Sequence, residues 1–173
     1  MTKGIQTRAS AIHGRDMAAA VLMNADASEV LVGAHEVSLL FDFELEPGSP
    51  TIPMKARIDC LGTGPWFADL KTTTDASPEG FGREAVKWRY HLKMALYHDA
   101  VKALIGEAPR TLVVAVEKEP PHFVGCYEFD EDALDLGRLR YREAVETWLR
   151  CQKDGWPTAY TEGVQTLRLP KWA

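Results

Sequence analysis

Three side chains in the stretch 55–73 carry groups that could hold a divalent cation and activate water: Asp59, Asp69 and Lys71. Mg²⁺ takes oxygen ligands, keeps several of its waters and asks for only one or two protein carboxylates beside a substrate phosphate. Asp59, Asp69 and the main-chain carbonyl of Leu70 could meet that requirement, and the Lys71 amine would then position or deprotonate a metal-bound water. These residue types therefore indicate metal-assisted chemistry on a phosphate-bearing substrate.

A β-hairpin is the element that must bring these groups together. Apolar and charged residues alternate over 55–60, a second run spans 66–72, and the Gly-Thr-Gly-Pro sequence at 62–65 supplies turn residues. The pattern predicts two antiparallel strands joined by a short loop.

The register of this hairpin decides whether the carboxylates meet. Side chains two apart on a strand share a face, so a hairpin folded about Thr63 puts Asp59 on the face of Asp69 and Lys71. The same alternation directs Leu70 into the core. A slip of one residue would move Asp59 to the other face.

A simpler interpretation of the same residues is a solvated hairpin face. Arg57 and Asp69 would form a cross-strand ion pair and Asp69 and Lys71 a second pair, each worth about a few tenths of a kcal/mol. Spacing alone leaves both interpretations open, because Asp, any residue, Lys is a common tripeptide.

Four separated motifs resemble the PD-(D/E)XK nuclease superfamily, and in detail its RecE (exonuclease VIII) branch. They occur in the order of that branch and cover the chain from about Glu36 to its end. The motifs are Lys55-Ala56-Arg57-Ile58-Asp59, Asp69-Leu70-Lys71-Thr72-Thr73, Arg89-Tyr90-His91 and the C-terminal Leu169-Pro170-Lys171-Trp172.

The resemblance implies an α/β fold with a restriction-endonuclease-like core, in which helices flank a mixed central sheet. It implies a Mg²⁺-dependent deoxyribonuclease, with Mn²⁺ as a substitute, that digests duplex DNA from the 5′ end in phage or prophage recombination. A homo-oligomer and a single-strand annealing protein as partner are part of the same expectation. Two other tasks stay open: structure-specific or nicking endonuclease activity on the same core, and non-catalytic DNA binding or assembly.

The resemblance implies that Glu36 is a third acidic group of the metal site. Glu36-Val37-Ser38 matches the start of the strand that carries an acidic residue ahead of the aspartate pair in the RecE branch. We expect Glu36 to reach the metal directly or through water. Glu44 on the same predicted strand face is its rival, and an exposed strand-start glutamate is the simpler interpretation.

The helix after the hairpin is predicted to meet DNA. Its residues Arg89, Lys93 and Tyr97 recur at four-residue spacing, and His91 belongs to the matched motif. Nucleases of this superfamily commonly carry Gln-x-x-x-Tyr here, whereas this chain has Lys93 and Tyr97. Lysine can meet a phosphate but cannot accept a hydrogen bond. A solvated helix face is the alternative.

Hydrophobic periodicity predicts the remaining elements in the order helix, three strands, helix, two strands, helix. The helix after the hairpin should begin behind Ser77 as N-cap and run to about Ile105. Its predicted buried stripe consists of Ala85, Trp88, Leu92, Ala95 and Leu96. The run 110–116 is continuously apolar and rich in β-branched residues, which is typical of a central strand covered on both faces.

Composition limits the classes that remain. The 173 residues, at a net charge of −5, suit a single cytoplasmic domain over 1–173, in which the upstream region of the RecE branch is expected to be missing. Three scattered cysteines do not suit a disulfide scaffold, a Cys-x-x-Cys zinc site or a four-cysteine iron–sulfur nuclease. We predict no membrane segment. His13, on the first predicted helix, is interpreted as a surface or groove residue.

Overall fold

The computed structural model describes residues 8–160, 163–169 and 171, with side chains from residue 14 onward. The side chain of His13 and parts of the C-terminal motif lie outside this description. The helices are α1 (Arg8–Met23), α2 (Ala25–Val30), α3 (Pro78–Lys87), α4 (Tyr90–Ile105) and α5 (Glu131–Asp154). The strands are β1 (Gly33–Phe43), β2 (Ile52–Gly62), β3 (Trp66–Thr73), β4 (Arg110–Glu117) and β5 (Val124–Glu128).

The five strands form one mixed sheet in the order β1-β2-β3-β4-β5. β3 and β4 are parallel, and the other neighbouring pairs are antiparallel. The parallel pair requires a crossover, which α3 and α4 supply. This arrangement confirms the predicted mixed sheet flanked by helices.

Helices cover both faces of the sheet. Val114 and Val116 of β4 pack against α1 and α2, whereas Val113 and Ala115 pack beside Phe81 of α3. On the second face, α4 packs against β2 and β3, and α5 packs outside α4. The continuous apolar run of β4 is buried on both sides, as predicted. None of the helices in the described residues has the length and hydrophobicity that crossing a membrane requires.

The hairpin between β2 and β3 is centred on Gly64 rather than Thr63. Its backbone ladder contains two pairs, Cys60 with Ala68 and Leu61 with Phe67. The pairing is shifted by two residues from the expectation, and a shift of two preserves the face of every side chain. Beyond Cys60 the ladder ends, while β3 stays paired with β4 along its whole length.

The regular alternation of β2 is broken at Asp59. Ile58 packs with Met94 of α4, but Cys60 packs with Ala68 and with the α2 residue Val30 on the opposite face. Glu36, which the register of β1 places opposite Asp59, has a left-handed backbone with φ 57°. Because of this break, Asp59 is directed toward the neighbouring strand β3, where its carboxylate accepts a hydrogen bond from the Leu70 N–H.

The prediction of one helix from Pro78 to Ile105 is wrong, because the chain bends at Trp88 and Arg89. Arg89 has a left-handed backbone (φ 55°, ψ 41°), which ends α3 and starts α4 in a new direction. Trp88 is therefore exposed and does not belong to the buried stripe. Hydrophobic periodicity continues across such a bend and does not reveal it. The predicted N-cap is confirmed, since Ser77 accepts a hydrogen bond from Gly80 N.

Candidate active site

Asp69 is the buried centre of the site. It lies on β3, in the middle of the sheet, and only 1% of its surface is exposed. Its Oδ1 accepts a hydrogen bond from Lys93 Nζ at 2.6 Å. Its Oδ2 is in close ion contact with Lys71 Nζ and accepts no hydrogen bond of ordinary geometry from the described residues. The one buried carboxylate of Asp69 is therefore in contact with two ammonium groups.

Lys71 is held largely out of water, with 17% of its side chain exposed. Burial and the neighbouring charge of Lys93 lower its pKa from 10.5 to about 8, although Asp59 acts in the opposite direction. The Lys71 amine also lies 5.4 Å from the centroid of the Tyr90 ring. An amine with this pKa exchanges protons close to neutral pH, which is what a general base or a proton relay needs.

Lys93 is the second cation of the site. The four-residue spacing predicted an open DNA-facing position, but its amine lies against Asp69 and 4.9 Å from the ring centroid of Tyr97. About a third of the side chain, 36%, is exposed. Lys93 therefore contacts the predicted metal carboxylate and still reaches solvent.

Asp59 joins the site from β2. Its Oδ2 accepts a hydrogen bond from the Leu70 N–H at 2.9 Å, so a carboxylate bridges the two strands where their ladder ends. The structure therefore brings together Asp59, Asp69, Lys71 and the main chain of Leu70.

The predicted burial of Leu70 is wrong: 43% of its surface is exposed, while Asp69 points inward. Side chains still alternate along β3, but Asp69 faces inward and Leu70 outward, the opposite of the prediction. An inward aspartate is tolerated here because Lys71 and Lys93 compensate its buried charge.

Glu36 is not brought into contact with the aspartates. It forms an ion pair with Arg57, and both side chains are exposed. Its rival Glu44 accepts a hydrogen bond from Gly48 N in the following loop. Within residues 8–160, 163–169 and 171 no group of three or more His, Cys, Asp and Glu side chains is arranged to hold a metal ion.

The remaining predicted DNA contacts are dispersed. Arg89 is exposed at the bend between α3 and α4. His91 is buried, so its ring is not presented on an open surface. The Tyr97 hydroxyl accepts a hydrogen bond from Arg57 N at 3.4 Å. Of the four, Arg89 is exposed, Lys93 and Tyr97 are partly exposed, and His91 is buried.

Two features of the site lie outside the sequence prediction. Thr73, at the end of β3, donates a hydrogen bond to Glu84 of α3 at 2.8 Å, and Thr74 bonds the other oxygen of Glu84 at 3.2 Å. The Tyr90 ring adds a wall beside Lys71. Thr73 is the last residue of the matched motif and Thr74 follows it, but nothing in the sequence identified Glu84 as their partner.

The fold and the site together define a PD-(D/E)XK-like domain. The chain belongs to the family described as a PDDEXK-like domain of unknown function (DUF3799), which matches residues 2–170. The predicted superfamily and its restriction-endonuclease-like fold are thereby confirmed. The narrower resemblance to the RecE branch stays a prediction.

Two solved structures are similar to this chain. A crystal structure of a "putative exonuclease" from Eubacterium rectale aligns with a TM-score of 0.74 and 15% identity, over 91% of this chain and 59% of that one. A crystal structure of SSO0001 aligns with a TM-score of 0.45 and 13% identity, over 80% of this chain and 59% of that one. The chain therefore spans 59% of the length of each structure. No curated protein matches it.

Proposed function

We propose that this domain is a metal-dependent deoxyribonuclease that hydrolyses phosphodiester bonds, acting as a 5′-to-3′ exonuclease on duplex DNA of the phage recombination type. The observation that carries the proposal is the buried Asp69 carboxylate with two lysine amines against it, while Asp59 binds the N–H of the next residue, Leu70. Membership in the PDDEXK-like family and the likeness to a named exonuclease support the same class of chemistry.

The residues present fit a Mg²⁺ ion, with Mn²⁺ as a substitute. Asp59 and Asp69 offer hard carboxylate oxygens, and the Leu70 carbonyl lies on the main chain between Asp69 and Lys71. Asp69 Oδ2 is buried with Lys71 as its polar contact among the described residues, so a cation could replace that contact. Two carboxylates are as many as Mg²⁺ requires when water and phosphate complete its shell. Glu36 would act through water after release from Arg57.

When bound, the metal would polarise the scissile phosphate and lower the pKa of water. Lys71 would receive a proton from the attacking water in its neutral form, or offset the developing negative charge in its protonated form. Its pKa of about 8 makes both forms available near neutral pH. Burial around Asp69 excludes bulk water and strengthens these interactions.

DNA would approach over the bend between α3 and α4. Arg89 is exposed there and would pair with a backbone phosphate, while Lys93 would meet phosphate from the exposed part of its side chain. Tyr97 would hold the Lys93 amine in place, and His91 would support the helix from inside. The net charge of −5 makes such local cations necessary for any DNA contact.

One observation favours a second candidate, a non-catalytic DNA-binding or assembly protein that keeps the fold. Lys93 already occupies Asp69 Oδ1, an oxygen that a metal could otherwise use. A protein that had lost its metal would be expected to neutralise the buried carboxylate in this way.

Digestion of DNA separates these candidates and tests the proposal. Linear duplex labelled at the 5′ end and covalently closed circular duplex are incubated with the protein and either Mg²⁺ or EDTA, with Asp69→Asn as control. The proposal expects release of the 5′ label from the linear duplex with Mg²⁺ and an intact circle. A nicked circle would indicate an endonuclease, and an inert wild type with both Mg²⁺ and Mn²⁺ would leave the non-catalytic candidate.

Assembly is part of the proposal by resemblance. A homo-oligomer would enclose DNA, and a single-strand annealing protein would take the strand that digestion leaves. Light scattering of the purified chain measures the first, and co-elution with such a protein measures the second.

A further inference from the structure

The oxygen atoms of the site are largely committed to protein partners. Asp59 Oδ2 binds the Leu70 N–H, Asp69 Oδ1 binds Lys93, and Glu36 is paired with Arg57. Among described residues, no third acidic or histidine side chain joins Asp59 and Asp69 around a common point. Two divalent ions held 3.5–4 Å apart, as in two-metal nucleases, ordinarily need more shared oxygens than this.

The positive charge that a second ion would bring is already supplied by protein. Lys93 Nζ lies 2.6 Å from the Asp69 oxygen and 4.9 Å from the Tyr97 ring centroid. It is therefore held from two sides, although 36% of the side chain stays exposed. An ammonium at this distance would repel a divalent ion bound to the same oxygen, because both compete for one lone-pair region and carry like charge.

We infer that this site takes one divalent cation rather than two, and that Lys93 is the positioning residue that excludes the second by holding Asp69 Oδ1. The inference rests on the proposed function and narrows it. The single ion would use Asp59, Asp69 Oδ2 and the Leu70 carbonyl. The Lys93 amine would supply the remaining positive charge facing the phosphate.

The net charge of the site also favours a single ion. The carboxylates of Asp59 and Asp69 are offset by the amines of Lys71 and Lys93, so one divalent ion gives the site a net charge of about +2, which one phosphodiester lowers to about +1. A second ion would leave a large excess close to a buried carboxylate, which is costly at low local dielectric. A glutamine at position 93 would remove this repulsion and leave Oδ1 accessible.

Counting bound Mn²⁺ tests the inference without reference to activity. Electron paramagnetic resonance of free Mn²⁺ gives the number of ions per chain for wild type, Lys93→Gln and Lys102→Gln. Lys102 is the matched control, since it is exposed on the same helix and its loss removes the same charge. We expect one ion in wild type and in Lys102→Gln, and a second ion in Lys93→Gln with spin–spin broadening of the bound signal.

Lys93→Arg covers the case in which Lys93→Gln does not fold, because it keeps the charge and should still bind one ion. Two ions in wild type would overturn the inference and leave the proposed nuclease intact. No bound ion in wild type would overturn both. One ion in a folded Lys93→Gln would show that Lys93 does not exclude the second ion.

Discussion

Helix α4 contributes to two charged clusters, one around Asp69 and one around Asp99, in which the charge of the aspartate is stabilised in different ways. Asp99 accepts hydrogen bonds from the Tyr141 hydroxyl at 2.7 Å and from Arg138 Nε at 3.2 Å, and His98 Nδ1 lies 3.0 Å from it. Arg138 is bound in turn by Glu131 and Asp135. Arg138 is the cation of this cluster and contacts three carboxylates, those of Asp99, Glu131 and Asp135.

The pKa shifts of Asp99, Arg138 and Tyr141 agree with these contacts. Burial opposes ionisation of Asp99, but hydrogen bonds from His98 and Tyr141 and the charge of Arg138 bring its pKa below the ordinary value. Burial also opposes the charge on Arg138, yet its acidic partners raise its pKa. Burial and the hydrogen bond to Asp99 raise the pKa of Tyr141. Every charge is stabilised by the fold itself.

The Asp69 cluster has the opposite balance. One carboxylate faces the amines of Lys71 and Lys93, and burial with cation repulsion lowers the pKa of Lys71. Two amines crowd one buried carboxylate here, and shifted pKa values of this kind are common at functional sites. We therefore expect the Asp99 cluster to stabilise the fold and, under the proposed function, the Asp69 cluster to bind a ligand.

The largest effect should come from Asp69→Asn. The change removes the proposed central metal ligand and takes the charged partner from the amines of Lys71 and Lys93. We expect DNA hydrolysis to fall by roughly 10³-fold, which corresponds to the several kcal/mol that a bound metal supplies. Initial rates with saturating Mg²⁺ measure it. A variant with rates within about threefold of wild type would remove Asp69 from the active site.

Asp99→Asn should lower the stability of the protein and leave the rate of DNA hydrolysis nearly unchanged. The change removes the charged partner that Arg138, Tyr141 and His98 share, so the free energy of unfolding should fall by about 2–3 kcal/mol. The hydrolysis rate at a temperature where the variant is folded should stay within about threefold of wild type. Urea denaturation and the DNA assay together check both halves. A selective loss of rate would mean that the two clusters are coupled through α4.

Lys71 should make stability depend on pH in the metal-free protein. Its folded pKa of about 8 lies below the ordinary 10.5, so the unfolded chain binds the proton more tightly between these values. The free energy of unfolding should therefore rise with pH from about 8 to 10.5, by about 3 kcal/mol relative to Lys71→Met. Denaturation in EDTA at several pH values measures the difference. Parallel curves for the two proteins would refute the lowered pKa.

Glu36→Gln should have the smallest effect. Because Glu36 is exposed and paired with Arg57, its contribution through water should be about tenfold in rate. Glu44→Gln is the matched control and should leave the rate unchanged. Equal rates for all three proteins would remove Glu36 from the metal site, and a larger loss for Glu44→Gln would transfer the role to Glu44.

The order of elements and the aspartate pair were predictable because they depend on local patterns. Alternation identified β2 and β3, and the Asp-x-Lys-Thr-Thr sequence identified the strand that carries the site. Moving the hairpin centre from Thr63 to Gly64 shifts the pairing by two residues, so it does not by itself exchange the faces of the strands. The break in the alternation of β2 at Asp59 was not predicted.

The interior of the site was not predictable from local patterns. The inward turn of Asp69 depends on two amines, one of which comes from α4, far along the chain. The bend at Arg89 and the left-handed backbone of Glu36 interrupt periodic runs that continue in sequence. Each depends on tertiary contacts, which outweigh local propensity.

Anomalous diffraction from crystals soaked in Mn²⁺ tests the central claim most directly. The account predicts one peak at about 2.0–2.4 Å from carboxylate oxygens of both Asp59 and Asp69 and from the Leu70 carbonyl oxygen. A peak that omits Asp69, or no peak between β2 and β3 at saturating Mn²⁺, would contradict it.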